Sequence, residues 1–159
     1  MSPRSTDPAP IKLINTVHFF PMERIVVGYD GSPQAKKALQ KAKGLAEKYG
    51  SKIYVVHVID TAVLSLSDMF SSPAVVASLR EKAEQLVKEA LATLGGNAEG
   101  KVLEGDPAHE IIKFAREVNA SLIVLGARGL STIRRILMGS VSSRVVQESP
   151  IDVLIVKDQ

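Results

Sequence analysis

Glycine, serine and arginine are concentrated in one stretch of this chain. It reads Gly126-Ala127-Arg128-Gly129, then nine residues, then Gly139-Ser140-Val141-Ser142. Glycines such as Gly126 and Gly129 permit positive φ and let backbone approach a ligand closely. Gly139-Ser140 opens a segment, Val141 to Gln147, that reads as a helix, whose first N–H groups and dipole favour an anion. The hydroxyls of Ser140 and Ser142 would add donors, and Arg128, Arg134 and Arg135 add positive charge. That is the chemistry of phosphate binding. Glycine spacings of this kind are weak motifs alone. The same residues also read as a surface loop whose glycines only turn the chain, with Ser140 a plain N-cap.

Asp30 is the second candidate. It lies just past the apolar run Arg24-Ile25-Val26-Val27-Gly28-Tyr29. A carboxylate there would bond a ribose hydroxyl or hold a metal ion. Alternatively, Asp30-Gly31 is a turn in which Asp caps its own backbone. A third candidate ends the run Lys52 to Ile59, at His57-Val58-Ile59-Asp60. A backbone N–H and C=O near Val58 would pair with the edge of an adenine. His57, inside an apolar strand, reads as a satisfied core histidine rather than a catalytic one. His109 reads as a surface or capping residue, His18 lies ahead of the first strand, and no two histidines have metal-ligand spacing.

Several catalytic patterns are absent or fail. Gly95-Gly96-Asn97-Ala98-Glu99-Gly100-Lys101-Val102 approximates a P-loop but ends in Val, and it leaves a helix for a strand, the reverse of the required context. Gly28-Tyr29-Asp30-Gly31 lacks the spacing of a dinucleotide fingerprint, and there is no G-x-S-x-G nucleophile elbow. No carboxylate pair stands out as an acid/base couple. The absence of cysteine excludes disulfides, thiolate metal sites, Fe–S clusters and cysteine nucleophiles. The residues indicate a binding site without catalytic machinery.

The elements that must position these residues alternate strand and helix. Arg24–Tyr29 is β-branched and reads as a strand. Ser32-Pro33 starts a helix, with Ser as N-cap and Pro at its first position. Ala35, Ala38, Leu39, Ala42, Leu45 and Ala46 give that helix one apolar face, and Gly50 ends it. Lys52 to Ile59 is the second strand, and Asp60 to Ser72 reads as a loop. Ser72-Pro73 opens a helix that runs to about Leu94 and stops at Gly95-Gly96. A weaker strand, Ala98 to Leu103, leads to Asp106-Pro107 and a helix through Val118. Leu122 to Leu125 is the fourth strand. Ser149-Pro150 ends the helix after the glycine loop, and Asp152 to Val156 is the last strand.

Strands alternating with helices indicate a parallel sheet with right-handed crossovers. Ile53–Ile59 and Leu122–Leu125 are apolar without alternation, as strands covered on both faces are. If the first and fourth strands are neighbours, the chain direction reverses between them. Asp30 and the glycine loop then face one crevice, the expected ligand site of an open α/β sheet.

Bulk properties agree with one domain. The chain has 159 residues, 45% of them hydrophobic and 23% charged, enough to bury a sizeable core. A net charge of +3 suits an anionic ligand without demanding nucleic acid. Aromatics are only 4%, and no basic helix or tail marks a nucleic-acid surface. No apolar run approaches the roughly 20 residues that span a bilayer. Residues 1–22 form a polar, Pro-rich start and then a more apolar arm without a signal-peptide cleavage site. Residues 23–159 are expected to form the single domain, and the cytoplasm is the expected compartment.

From about residue 23 to 157 the chain resembles the universal stress proteins of the UspA type. The resemblance rests on Ile25-Val26-Val27-Gly28-Tyr29-Asp30-Gly31-Ser32, His57-Val58-Ile59-Asp60, Gly105-Asp106-Pro107, and the G-x2-G-x9-G-S block from Gly126 to Ser142. That last block matches the ATP-binding branch. The resemblance implies an open, doubly wound five-stranded parallel sheet in the order 3-2-1-4-5. Its helices cover both faces, in the adenine nucleotide alpha hydrolase-like manner. It implies ATP between the first and fourth strands and a homodimer along the last strand.

By the same resemblance, Asp30 lies near ribose and phosphates, and Val58 beside adenine. Gly126 and Gly129 flank ribose and phosphates, and Gly139, Ser140, Val141 and Ser142 cradle the phosphates. Gly28, Tyr29 and Arg128 complete the candidate set. A divalent ion, Mg²⁺ or Mn²⁺, would sit on the phosphates with Asp30 as its protein ligand. The implied function is a nucleotide-dependent switch or adaptor in stress response, with an unidentified protein partner and slow or no ATP hydrolysis. The alternatives are a slow ATPase or AMP-transferring enzyme and an interaction module with an empty site. The H-x-G-H and S-G-G-x-D-S loops of related α/β enzymes are absent.

Overall fold

The computed structural model of the protein describes residues 22–64, 72–129 and 138–157. Strand β1 (Arg24–Gly28) leads into α1 (Pro33–Tyr49), β2 (Lys52–Asp60) and the single turn α2 (Thr61–Leu64). Then come α3 (Pro73–Leu94), β3 (Ala98–Gly105), α4 (Pro107–Glu117), β4 (Leu122–Gly126), α5 (Ser140–Glu148) and β5 (Asp152–Val156). The five strands form one sheet in the order β3-β2-β1-β4-β5, and every pairing is parallel. This is the expected open α/β sheet.

The pleat explains why the central strands are apolar throughout. Ile25 and Val27 of β1, with Leu122 and Val124 of β4, face a core built with Ala35, Ala38, Leu39 and Ala42 of α1 and Ala90 of α3. Val26, Ile123 and Leu125 point the other way, against Ile111, Phe114 and Ala115 of α4 and Val145 of α5. Each strand residue is therefore buried on one face or the other, and the helices divide between the two faces.

Three helices begin with the capping chemistry expected from sequence. The side chains of Ser32, Ser72 and Asp106 accept the N–H of Ala35, Val75 and His109, and each cap precedes a proline. Strand β1 stops at Gly28, one residue short of the expected Tyr29, but three other strands run further than expected. β3 continues to Gly105 and β4 to Gly126, while β2 includes Asp60, whose carboxylate caps the Ala62 N–H at 2.9 Å. The stretch expected as a loop from Asp60 to Ser72 thus starts as strand and a helical turn, and its residues 65–71 lie outside the described chain. The extension of β3 has a plain cause. It is an edge strand, so its Glu99, Lys101 and Glu104 interrupt the apolar run that marks a central strand.

The arm expected over residues 1–22 falls outside the described residues except for Met22. Met22 packs against the α1-side core, and its carbonyl accepts the Ser51 hydroxyl. Among the described residues no helix is long and apolar enough to cross a membrane.

Candidate functional site

A cleft of about 350 Å³ opens at the C-terminal ends of β1, β2 and β4. Its position is the point where the sheet order reverses: β1 pairs with β2 on one side and β4 on the other. Gly28, Tyr29, Asp30, Val58, Gly126, Arg128, Gly129, Gly139, Ser140, Val141 and Ser142 all line it. Every candidate taken from sequence is brought to this cleft, except that Arg134 and Arg135 lie outside the described residues.

The wall from β1 is tightly held. The Tyr29 N–H donates to the Val56 carbonyl at 2.8 Å, extending the β1–β2 ladder one rung past Gly28. The Tyr29 carbonyl is bonded to His57 Nδ1, also at 2.8 Å. Gly31, at φ +80°, turns the chain, a conformation glycine adopts without steric cost. The Ser32 N–H then donates to Asp30 Oδ1 at 2.9 Å, so the Asx-turn geometry and a place in the cleft coexist at Asp30. Burial, then the Glu89 and Asp30 carboxylates, push the Tyr29 phenol above its ordinary pKa, so it stays protonated at neutral pH.

The opposite wall comes from the glycine loop. Neither Gly126 nor Gly129 has a positive φ, which corrects the expectation from their type. Their requirement is spatial. A Cβ on Gly126 would meet Gln34 of α1 at 2.8 Å from its Cβ and 2.9 Å from its carbonyl carbon. A Cβ on Gly129 would lie 2.6 Å from Asp30 Oδ2. Gly28 is short of a side chain for a similar reason, since its Cβ would lie 2.5 Å from Leu125 Cδ2.

The third wall is the start of α5. Gly139, not Ser140, is the N-cap, and no side chain caps this helix, in contrast to α1, α3 and α4. The Ser143 N–H is the first to reach an intrahelical carbonyl, that of Gly139. The N–H groups of Ser140, Val141 and Ser142 precede it, where an α-helix provides no acceptor. They favour an anion, assisted by the helix dipole. Ser142 differs from the sequence expectation: it is buried, and its hydroxyl lies 2.8 Å from the Ala127 carbonyl and 3.2 Å from that of Gly139. Its hydroxyl proton serves the loop, leaving the main-chain N–H for a ligand. The Gly139 N–H reaches the same Ala127 carbonyl, so Ala127 ties the two ends of the loop together.

Sequence reasoning missed residues from α4 and β2. Pro107, Ile111 and Val56 line the cleft, beside His57 and Asp60 of the third candidate. The Gly105-Asp106-Pro107 block was visible as a helix start and as part of the family resemblance, but not as a wall of the cleft. His57 is satisfied, as a core histidine should be, yet its partner is backbone that borders the cleft.

An anion-favouring cleft at the reversal point of a parallel sheet is an architecture in which α/β proteins hold nucleotides. The sequence profile of the Universal stress protein family matches residues 21–157, and the chain belongs to that family. It is 38% identical over 134 residues to a universal stress protein of Thermus aquaticus, spanning 84% of this chain and 97% of the other. Among solved structures, a universal stress protein in complex with cAMP aligns at TM-score 0.67 and 28% identity, covering 87% of this chain and 99% of that one. A universal stress protein from Archaeoglobus fulgidus in complex with dAMP aligns at TM-score 0.60 and 25% identity, covering 87% and 100%.

Proposed function

We propose that this chain binds ATP in the β1–β4 cleft and acts as a nucleotide-dependent switch or adaptor in stress response, signalling to a protein partner. The observation that carries this reading is the uncapped first turn of α5 opposite the Asp30–Gly129 contact, in a cleft of about 350 Å³. The first-turn N–H groups, ahead of the first intrahelical bond, suit phosphates. Asp30 suits the ribose, and the backbone of Val58 suits adenine. Two structural neighbours are complexes with adenine nucleotides, cAMP and dAMP, which supports the base assignment.

A divalent ion fits as a companion of the phosphates. Among the described residues no group of three or more His, Cys, Asp or Glu gathers as a protein-built metal site. Mg²⁺ is commonly held by one or two carboxylates, phosphate oxygens and water, and Mn²⁺ shares the preference for such oxygen ligands. Asp30 fits that limited role. The ion would neutralise phosphate charge. Hydrolysis is assigned as slow or absent, because Asp30 Oδ1 is engaged by the Ser32 N–H and His57 Nδ1 by the Tyr29 carbonyl.

The dimer is proposed through β5. The β3 edge carries Glu99, Lys101 and Glu104, and charged edges resist strand addition. The β5 edge offers the uncharged run Val153-Leu154-Ile155-Val156 between Asp152 and Lys157. A two-fold symmetric antiparallel pair keeps like faces together, so residues of the same face oppose one another across the β5–β5 seam.

The test is the nucleotide released on denaturing freshly purified protein, with an ATP titration in Mg²⁺. Bound ATP, or micromolar binding lost in Gly139→Val, is the expected result. Absence of both overturns the reading.

A further inference from the structure

The β1–β2 ladder stops in an unusual way at the cleft. Along β2, residues alternate in the direction of their backbone groups. The Lys52 N–H bonds towards β1, to Glu23, whereas the Ile53 N–H bonds towards β3, to Asn97. The Val56 carbonyl again points to β1, where it accepts the Tyr29 N–H. Val58 shares this parity, so its N–H and C=O face the β1 side, beyond the end of β1 at Gly28.

In a parallel ladder the next rung would join the Val58 N–H to the Tyr29 carbonyl. Among the described residues that bond is not made. The Tyr29 carbonyl is bonded to His57 Nδ1 instead, at 2.8 Å. A carbonyl only accepts, so Nδ1 carries the proton. An imidazole has taken the place of a backbone donor.

We infer that His57 is a positioning residue for base recognition: by holding the Tyr29 carbonyl, it leaves the Val58 N–H for the ligand. Val58 then presents one donor and one acceptor side by side into the cleft it lines. Adenine offers the complementary pair, an acceptor ring nitrogen beside its amino donor. Guanine offers the reverse order on the corresponding edge. The His57–Tyr29 bond thereby sets a preference for adenine. It also anchors the peptide that carries Asp30. This inference rests on the proposed nucleotide site for its ligand, but the hydrogen-bond exchange it describes exists without one.

The experiment compares wild type, His57→Leu and His57→Asn by ATP and GTP titration and by amide exchange at Val58. Asn keeps a donor near the Nδ1 position, and Leu removes it. In wild type the Val58 amide should exchange rapidly and be slowed by ATP. In His57→Leu the Tyr29 carbonyl captures the Val58 N–H, so that amide becomes protected without nucleotide. ATP affinity falls about tenfold or more and the preference over GTP narrows. His57→Asn should restore rapid exchange and most of the affinity. A His57→Leu protein with wild-type exchange at Val58 and wild-type affinity overturns the inference. So does a folded His57→Asn protein that binds no better than His57→Leu; if His57→Leu does not fold, a folded His57→Asn protein that loses ATP overturns it alone. A wild type that binds no ATP sinks the nucleotide reading and this inference with it, whereas wild-type binding unaffected by His57→Leu sinks only the role of His57.

Discussion

Asp30 and Gly129 meet across the cleft so closely that a Cβ on Gly129 would lie 2.6 Å from Asp30 Oδ2. The two residues are 99 positions apart in sequence, on the ends of neighbouring strands. Because the φ of Gly129 is not in the left-handed region, alanine is allowed by the backbone, and among the described residues the obstacle it meets is the Asp30 carboxylate. Gly129→Ala should therefore displace Asp30 and weaken ATP by about tenfold or more, since small displacements at a site are costly. In an Asp30→Ala background the same change should add little. A double-mutant cycle read by ATP titration checks this, and additive losses would refute the coupling.

Gly126→Ala should act on stability first. Its Cβ would strike Gln34 at backbone atoms 2.9 and 3.0 Å away, and backbone cannot rotate aside. Overpacking of this kind costs about 1–3 kcal/mol. The expected result is a lower denaturation midpoint at unchanged slope, measured without nucleotide. An unchanged midpoint would show that α1 slides along β4 without cost.

Ser142→Ala removes a buried hydroxyl from the Ala127 carbonyl, but the Gly139 N–H still donates there. The carbonyl keeps a partner, so the loss should be close to that of one ordinary hydrogen bond, about 1 kcal/mol. ATP affinity should fall modestly, far less than for Gly139→Val. A loss as large as that of Gly139→Val would mean the Ser142 hydroxyl contacts the ligand directly.

Asp106 predicts an acid-sensitive link near the cleft. Its carboxylate is held below the ordinary aspartate value chiefly by the His109 N–H and also by Arg144 of α5. A carboxyl lowered in the folded state binds protons more readily when unfolded. Its stabilisation is therefore complete well above about pH 3.9, the ordinary aspartate value, and fades as pH falls through and below it. Asp106→Asn should keep a cap acceptor but lose this share of the acid sensitivity. Denaturation of both proteins at pH 7 and pH 3 reads the difference, and parallel losses would discount Asp106.

The topology was legible because each strand is bounded by strong punctuation: Ser32-Pro33, Gly50, Gly95-Gly96, Asp106-Pro107 and Pro150. The cleft was legible because alternating strands and helices force Asp30 and Gly126 to the same edge of the sheet. The reasons behind individual residues were not. That Gly129 yields to Asp30, or that His57 reaches the Tyr29 carbonyl, depends on approach across 99 and 28 positions. Periodicity carries no such distances. The contribution of Pro107 and Ile111 was hidden similarly, because the start of α4 reads only as a capped helix until the sheet places it beside β1 and β2.

The β5 edge gives the last prediction. In a pair of antiparallel β5 strands the central residues are Leu154 and Ile155, half-buried in the single chain and packed on opposite faces of its sheet. Ile155→Lys places a like charge near its symmetry mate, and like charges opposed across strands are destabilising. The variant should sediment as a monomer at concentrations where wild type is a dimer. The β4 end, rather than β5, borders the cleft, so ATP affinity per chain should stay within about twofold if the sites are independent. Sedimentation that stays dimeric in Ile155→Lys would move the interface away from β5.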